Sequence, residues 1–168
     1  MADLSTLSIE LGALLKERNL MLVLAESCTG GMVAQTITSV AGSSAWFDRG
    51  FVTYSNESKI EMLGVRAETI EKFGAVSEQT ATEMALGCLK SPTLKLIHAQ
   101  VSGSITGIAG PDGGTTEKPV GTVCFAWAGE KLPLSTTTKR FFGNRQEVRQ
   151  QAAVAWMAGL IERLKLTN

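Results

Sequence analysis

The stretch from residue 21 to residue 40 constrains the fold more than any other part of the sequence. Apolar side chains on consecutive positions predict a strand over residues 21–26 that is covered on both faces. Gly30 and Gly31 then open an amphipathic segment that predicts a helix. In α/β proteins, ligands bind beyond the carboxyl end of a strand at such a junction. Ser27 offers a hydroxyl to that space, although a plain capped turn would use the same residues.

The rest of the chain alternates between helix and strand patterns, without a linker or a repeat. Apolar periodicity and capping residues predict helices at 3–18, 30–41, 57–63, 67–73, 78–89 and 145–164. The predicted N-caps are Asp3 or Ser5, Asn56, Ser77, and Asn144 as part of a capping box with Glu147. Further strands are predicted at 51–55, 97–102, 120–128 and 134–142, the last two as an antiparallel hairpin. This order predicts one three-layer α/β/α domain over residues 1–168, with a mixed, mostly parallel sheet.

Composition excludes several classes of protein. The 16 basic and 16 acidic residues balance, and no basic run supports nucleic-acid binding. No apolar segment approaches the roughly 20 residues of a membrane helix, and the first residues lack the pattern of a secretory signal. The three cysteines are widely spaced and form no C-x-x-C pair. We therefore expect neither a zinc site nor disulfides, and a cytoplasmic location.

Few residues are candidates for catalysis. No metal motif or Walker sequence is present, so we expect no metal and no other cofactor. The single histidine, His98, lies in an apolar strand pattern and is interpreted as structural. A serine nucleophile would then need a lysine as its base. Lys59 is favoured because it falls in the first turn of a predicted helix, whose dipole disfavours a positive charge. Tyr54 could hydrogen-bond it; the alternative is a solvated surface lysine.

Five further residues have more than one interpretation. Cys28 is either a nucleophile beside a helix N-terminus or, as we prefer, a small packing residue. Arg145 and Arg149 either hold a phosphate or are charges on a helix surface. The aromatic pair Trp46 and Phe47 packs in the core, at a subunit contact or over a substrate ring.

Five motifs, in chain order, carry a family resemblance. They occupy residues 25–31, 42–47, 50–56, 102–114 and 118–123, and read AESCTGG, GSSAWF, GFVTYSN, SGSITGIAGPDGG and KPVGTV. Together they resemble the C-terminal domain family of the competence/damage-inducible protein CinA. The resemblance implies hydrolysis, without a metal, of the carboxamide of nicotinamide mononucleotide. The products would be nicotinic acid mononucleotide and ammonia, within pyridine-nucleotide recycling.

The resemblance also implies a site of the Ser/Lys amidase type. Lys59 would be the base, with Tyr54 nearby. Either Ser27 or Ser44 would attack the amide carbonyl, while the other orients the carboxamide or donates to the oxyanion. Backbone amides of one glycine-rich turn would stabilise the oxyanion, and the other turn would hold the ribose phosphate together with an arginine. The candidate binding residues are Thr29, Gly30, Gly31, Gly107, Ile108, Ala109, Gly110 and Arg145.

A second hypothesis is a non-catalytic nucleotide-binding or regulatory module, based on the two glycine-rich loops at residues 28–31 and 107–114. Under both hypotheses the expected partner is a small-molecule nucleotide, with no nucleic acid and no membrane. A homodimer or a higher homo-oligomer is the expectation for a small cytoplasmic enzyme. The sequence leaves open whether a neighbouring subunit completes the site.

Overall fold

A computed structural model of the chain describes residues 3–90 and 98–167. The elements in these ranges are, in chain order, α1 (Leu4–Glu17), β1 (Leu22–Glu26), α2 (Met32–Thr38), a 3-10 turn (Ser43–Ala45), β2 (Phe47–Val52), α3 (Asn56–Leu63), α4 (Ala67–Phe73), α5 (Glu78–Leu89), β3 (Val101–Gly107), β4 (Thr122–Gly129), β5 (Leu132–Arg140) and α6 (Arg145–Leu166). None of the helices in these ranges is long and apolar enough to cross a membrane.

The strands form one sheet in the order β2-β1-β3-β4-β5. β1 runs parallel to both of its neighbours, β2 and β3. β4 is antiparallel to β3, and β5 is antiparallel to β4, which confirms the predicted hairpin. Helices cover both faces, so the predicted α/β fold with a mixed sheet is confirmed. Because β2, β1 and β3 are parallel, their carboxyl ends meet at one edge of the sheet, which we call the carboxyl edge.

The uninterrupted apolar sequence of β1 is explained by a core cluster on each face of the sheet. Leu22 and Leu24 belong to the cluster that α1, α2 and α6 complete, whereas Val23 and Ala25 belong to the cluster that α3 and α5 complete. All five residues of β1 are buried. Successive side chains of a strand point to opposite faces, so this sequence requires a helix layer on each side.

Most of the predicted helix caps are confirmed. Asp3 accepts a hydrogen bond from the amide of Thr6, and Ser77 caps α5. Asn144 forms the predicted capping box at the start of α6. At α3 the predicted cap is wrong, because Ser55 and not Asn56 accepts the helix amide. Asn56 is therefore the first residue of α3, and the first turn of this helix borders the site described below.

The position of β2 was predicted wrongly. β2 begins at Phe47 rather than residue 51 and ends at Val52 rather than residue 55. Its first half contains Asp48 and Arg49, which pair with each other at 2.5 Å, and an edge strand tolerates such polar residues because one side is open to solvent. The chain leaves the sheet at Thr53, whose amide donates to the carbonyl of Glu26, and then starts α3.

Other boundaries also differ from the prediction; β5, for example, spans Leu132–Arg140 rather than residues 134–142. α2 ends at Thr38 rather than near residue 41, since the next amides bond three residues back and tighten the last turn. β3 begins at Val101; its predicted start, residue 97, lies outside the described residues. His98 is exposed and precedes the strand, so its interpretation as a structural residue inside a strand is wrong.

Candidate active site

A cleft of about 270 Å³ opens at the carboxyl edge of the sheet. The turn after β1, the start of α3, the loop before α5, the glycine-rich loop after β3 and the start of α6 form its walls. The lining residues are Ser27, Cys28, Tyr54, Asn56, Lys59, Ala75, Val76, Thr106, Gly107, Ile108, Ala109, Gly110, Asp112, Gly113 and Arg145. The cleft therefore lies beyond the carboxyl ends of the parallel strands, where α/β proteins bind ligands.

Ser27 and Lys59 form a hydrogen-bonded pair in this cleft. Ser27 is 7% exposed and Lys59 is 1% exposed. The Nζ atom of Lys59 lies 3.1 Å from the Oγ atom of Ser27. This separation is within the range expected for a nucleophile and its general base. When the amine is neutral, its lone pair can accept the hydroxyl proton of Ser27.

The local sequence explains why the lysine reaches the serine. Glu26 at the end of β1 pairs with Val52 at the end of β2, so the chain that follows β2 passes beside Ser27. Side chains on a helix lean toward its N-terminus, which directs the Lys59 ammonium back toward the start of α3. There Nζ contacts the carbonyl oxygens of Thr53, Tyr54 and Ser55 at 2.9, 3.5 and 3.5 Å.

Burial changes the chemistry of this lysine. Removal from water lowers the pKa of Lys59 below its ordinary value, and the neighbouring Cys28 and Glu57 oppose that shift. The first turn of a helix also disfavours a positive charge. A lysine with a lowered pKa has a larger neutral fraction near neutral pH, which is the form that a general base requires.

Tyr54 and Arg145 lie together at the rim of the cleft. One guanidinium nitrogen of Arg145 donates to the phenol oxygen of Tyr54 at 2.8 Å, and another donates to the carbonyl of Gly110 at 2.7 Å. The phenol oxygen therefore pairs with Arg145, and the hydrogen bond predicted between Tyr54 and Lys59 is made instead by the backbone carbonyl of Tyr54, 3.5 Å from Nζ. Since Tyr54 is 60% exposed, its ring is accessible to a ligand at the mouth of the cleft.

The glycine-rich loop after β3 lines the cleft through residues 107–110, which include the candidate binding residues predicted there. A Cβ atom on Gly107 would collide with Val123 and press against the Cys28 sulfur. Gly110 has a φ of +82°, which favours glycine. The amide of Ile108 donates to the carbonyl of Thr122 in β4, and its carbonyl accepts from the amide of Gly121, just before β4. The amides of Ala109 and Gly110 find no acceptor in the part of the chain that the structure describes, so they are available to donate to a bound group.

The predicted binding role of Thr29, Gly30 and Gly31 is not supported. These three residues follow Ser27 in the chain, and none of them lines the cleft. The amide of Gly30 donates to the carbonyl of Ser27 at 3.0 Å, and the amide of Gly31 donates to the buried carboxylate of Glu26 at 3.2 Å. Both glycine amides therefore donate inside the protein, and neither is free for an oxyanion.

Ser44 lies far from the cleft. It belongs to the 3-10 turn before β2 and is exposed. Leu22 at the start of β1 pairs with Phe47 at the start of β2, so Ser44 lies beyond the amino ends of the strands. At about 3.3 Å per residue, the length of β1 separates it from Ser27 by roughly 16 Å. The prediction that both serines act in one cleft is therefore wrong within a single chain.

Several ambiguous residues obtain a definite place. Cys28 is buried, and burial raises the pKa of its thiol to about 12, which favours the packing role over that of a nucleophile. Trp46 is 1% exposed and packs in the core against Gly12. Arg149 contacts the backbone of the turn after Ser27 and does not line the cleft.

Three residues at or behind the cleft were not predicted. Asn56 was interpreted only as a helix cap. Asp112 was treated as part of a loop, although it is the acidic residue in the cleft lining. Glu26 is 0% exposed. The sequence contained a signal for a structural role of Glu26, because a carboxylate that ends an apolar strand needs buried hydrogen-bond donors.

Fold and cleft together define an α/β protein with a buried serine–lysine pair at the carboxyl edge of its sheet, an arrangement suited to nucleophilic hydrolysis. The family model described as CinA C-terminal domain matches residues 4–164. The chain belongs to the CinA C-terminal domain family.

Curated relatives and a solved structure are similar along most of the chain. The nicotinamide-nucleotide amidohydrolase PncC of Enterobacter agglomerans is 56% identical over 151 residues, which cover 90% of this chain and 89% of the relative. PncC of Escherichia coli K12 is 54% identical over 90% of this chain and 88% of the relative. The crystal structure of a competence-damaged protein (CinA) superfamily protein from Klebsiella pneumoniae 700603 matches with a TM-score of 0.91 and 38% identity, covering 98% of this chain and 99% of that chain.

Proposed function

We propose that this chain is an amidohydrolase that converts nicotinamide mononucleotide to nicotinic acid mononucleotide and ammonia, in pyridine-nucleotide recycling. The observation that carries the proposal is the buried pair of Ser27 and Lys59, whose Oγ and Nζ atoms lie 3.1 Å apart. Two relatives that are 56% and 54% identical and are named nicotinamide-nucleotide amidohydrolase support the substrate class.

The pair performs the acylation step in this mechanism. Neutral Lys59 takes the hydroxyl proton of Ser27 while Oγ bonds to the carboxamide carbon. The amides of Ala109 and Gly110 are the donors for the resulting oxyanion, since no protein acceptor engages them in the described ranges. The Lys59 ammonium then gives its proton to the amide nitrogen, the carbon–nitrogen bond breaks, and ammonia leaves an acyl-Ser27.

Deacylation repeats the proton transfers with water as the nucleophile. Lys59 takes a proton from water while the water oxygen attacks the acyl carbon, and the proton returns to Ser27 Oγ as the carboxylic acid leaves and then loses its own proton to solvent. The carbonyl oxygen of Thr53, 2.9 Å from Nζ, stabilises the ammonium that forms in each half of the cycle.

The rim of the cleft anchors the nucleotide in this proposal. Arg145 is the cation among the lining residues besides Lys59, and its planar guanidinium suits a bidentate contact with the ribose phosphate. Binding of the phosphate would replace one of its present contacts, to Tyr54 or Gly110. The exposed Tyr54 ring can then face the positively charged pyridinium ring.

Ammonia release tests the proposal directly. Purified protein is incubated with nicotinamide mononucleotide across the neutral pH range, and ammonia and the acid product are measured together. We expect equal amounts of both from the wild type. Ser27→Ala and Lys59→Met are each expected to lower kcat by at least about 10³-fold, since both members of the pair are needed.

Ser44→Ala is the matched control, because it removes a serine hydroxyl outside the cleft. We expect it to keep wild-type activity; its inactivation would instead assign Ser44 to the cleft of a neighbouring subunit. A wild type that binds the nucleotide tightly without releasing ammonia would contradict the enzyme and favour a nucleotide-binding module.

We further propose that residues 1–168 act as one domain, in the cytoplasm, as a homodimer or a higher homo-oligomer. Cys28, Cys88 and Cys124 are all free and buried, which suits a reducing compartment. Size-exclusion chromatography with light scattering at micromolar concentration tests the assembly, and a monomeric mass would contradict it.

A further inference from the structure

A buried carboxylate holds one side of the turn that carries Ser27. Glu26 is 0% exposed. Its oxygens accept hydrogen bonds from the amides of Gly31, Val33 and Ala34 at 3.2, 3.2 and 2.8 Å. This carboxylate therefore fills the positive N-terminal end of α2 from inside the protein. It fixes the start of the helix relative to the end of β1.

A guanidinium holds the other side of the same turn. The Nε atom of Arg149 donates to the carbonyl of Cys28 at 3.1 Å, and Nη2 donates to the carbonyl of Thr29 at 3.0 Å. The remaining nitrogen, Nη1, donates to Gln146 at 3.1 Å. All three nitrogens of Arg149 thus contact protein acceptors, although the side chain starts from α6, an element distant in sequence.

We propose that Arg149 is a positioning residue that sets the orientation of Ser27 toward the reacting carbonyl, an inference that rests on the proposed function. Each peptide unit is planar, so holding the carbonyls of Cys28 and Thr29 fixes two successive peptide planes that begin one residue after Ser27. The turn then passes through Gly30 and Gly31, at φ values of +61° and +99°. Glycines have little intrinsic preference for one conformation, so the charged side chains determine it.

The same contacts separate Arg149 from Arg145, the other arginine in the first turns of α6. Arg145 lines the cleft, whereas Arg149 does not. A phosphate ligand of Arg149 would have to displace backbone carbonyls that support Ser27. Loss of Arg149 is therefore expected to change kcat, while loss of a phosphate-binding arginine would raise KM.

The test compares Arg149→Met, Arg149→Lys and Arg163→Met. Arg163 is the matched control because it is also half-buried on α6 and donates to a backbone carbonyl, that of Gly159, away from the cleft. For each protein, kcat and KM are measured with nicotinamide mononucleotide. Hydrogen–deuterium exchange is measured for the peptide that covers residues 26–34.

We expect Arg149→Met to lower kcat by about 10²-fold, the effect of a displacement of about 1 Å at the reacting group. KM should stay near the wild-type value, and exchange in residues 26–34 should become faster. Arg149→Lys should recover part of kcat, because an ammonium can replace one of the two carbonyl contacts. Arg163→Met should leave kcat and the exchange of this segment unchanged.

A raised KM with an unchanged kcat would overturn the proposal and make Arg149 a substrate ligand. Unchanged exchange in residues 26–34 would also overturn it, since the turn would then not depend on Arg149. If the wild type releases no ammonia, the proposed function fails separately, and the exchange comparison still decides whether Arg149 holds the turn. Arg149→Lys serves both measurements if Arg149→Met does not fold.

Discussion

Lys59 is an ionisable side chain whose hydrogen-bond partners are all neutral. Its ammonium contacts the Ser27 hydroxyl and three backbone carbonyls. The ion pairs in the described ranges do not include it. A buried ammonium without a carboxylate partner is destabilised relative to the neutral amine. This environment therefore selects the protonation state that a general base needs, and does so next to the hydroxyl that would lose its proton.

The pH dependence of turnover follows from this environment. Because the neutral amine is the active form, kcat/KM is expected to fall as the pH drops through the pKa of Lys59. Burial places that pKa below the ordinary lysine value. Glu57 acts in the opposite direction, so Glu57→Gln should move the midpoint of the profile to lower pH. The measurement is a pH–rate profile of ammonia release for both proteins.

A suitable control for that profile is Glu61→Gln, a change at another exposed carboxylate on α3 that does not perturb the pKa of Lys59. Its midpoint should stay with the wild type. A Glu57→Gln midpoint that is unchanged, or that moves to higher pH, would contradict the role of Lys59 as the base.

At the scale of elements, the amides at the junction of β1 and α2 bind a carboxylate of the protein itself rather than a ligand. A turn of two glycines at a helix N-terminus predicts an anion site from sequence. In the folded chain the anion is the carboxylate of Glu26, and the substrate cleft lies on the other side of Ser27. The same local pattern therefore supports the nucleophile rather than contacting the ligand.

The close packing of α5 against α3 is the second element-scale feature, because α3 carries Lys59. A Cβ atom on Gly87 would collide with the carbonyl oxygen of Leu63, at the end of α3. Alanine in a helix interior normally adds about 0.5–1 kcal/mol relative to glycine. We nevertheless expect Gly87→Ala to lower the free energy of unfolding by about 1–3 kcal/mol, because overpacking forces the helices apart.

Urea unfolding monitored by circular dichroism measures this change. Leu86→Ala, at a position that is 42% exposed on the same helix, is the control and should have a much smaller effect. Activity measured in parallel should decrease for Gly87→Ala, since α3 and its lysine move. A Gly87→Ala protein that is more stable than the wild type would contradict this prediction, because α3 would then accommodate the added methyl group without a loss of stability.

For the whole molecule, features that depend on residues close in sequence could be predicted, whereas features that depend on contacts between distant segments could not. α4 and α5 have the predicted bounds because caps and glycine stops are local signals. Lys59 and Arg145 line the same cleft as Ser27 because parallel strands and their connections meet at one edge, which the α/β pattern already implies. Ser44 was misplaced because its position depends on the register of β1 against β2, which no local signal encodes.

The pKa shift of Lys59 also predicts how the stability of the whole molecule depends on pH. The lysine pKa is lower in the folded state than in the unfolded chain, so between the two values the unfolded chain binds more protons. Stability then rises with pH in that window, and is constant below the folded pKa. Relative to Lys59→Met, the wild type should therefore gain stability as the pH rises toward the ordinary lysine value.

Urea unfolding at several pH values measures the difference, and Ser27→Ala, which retains the lysine, should follow the wild type. Parallel curves for wild type and Lys59→Met would show that the lysine has the same proton affinity in both states.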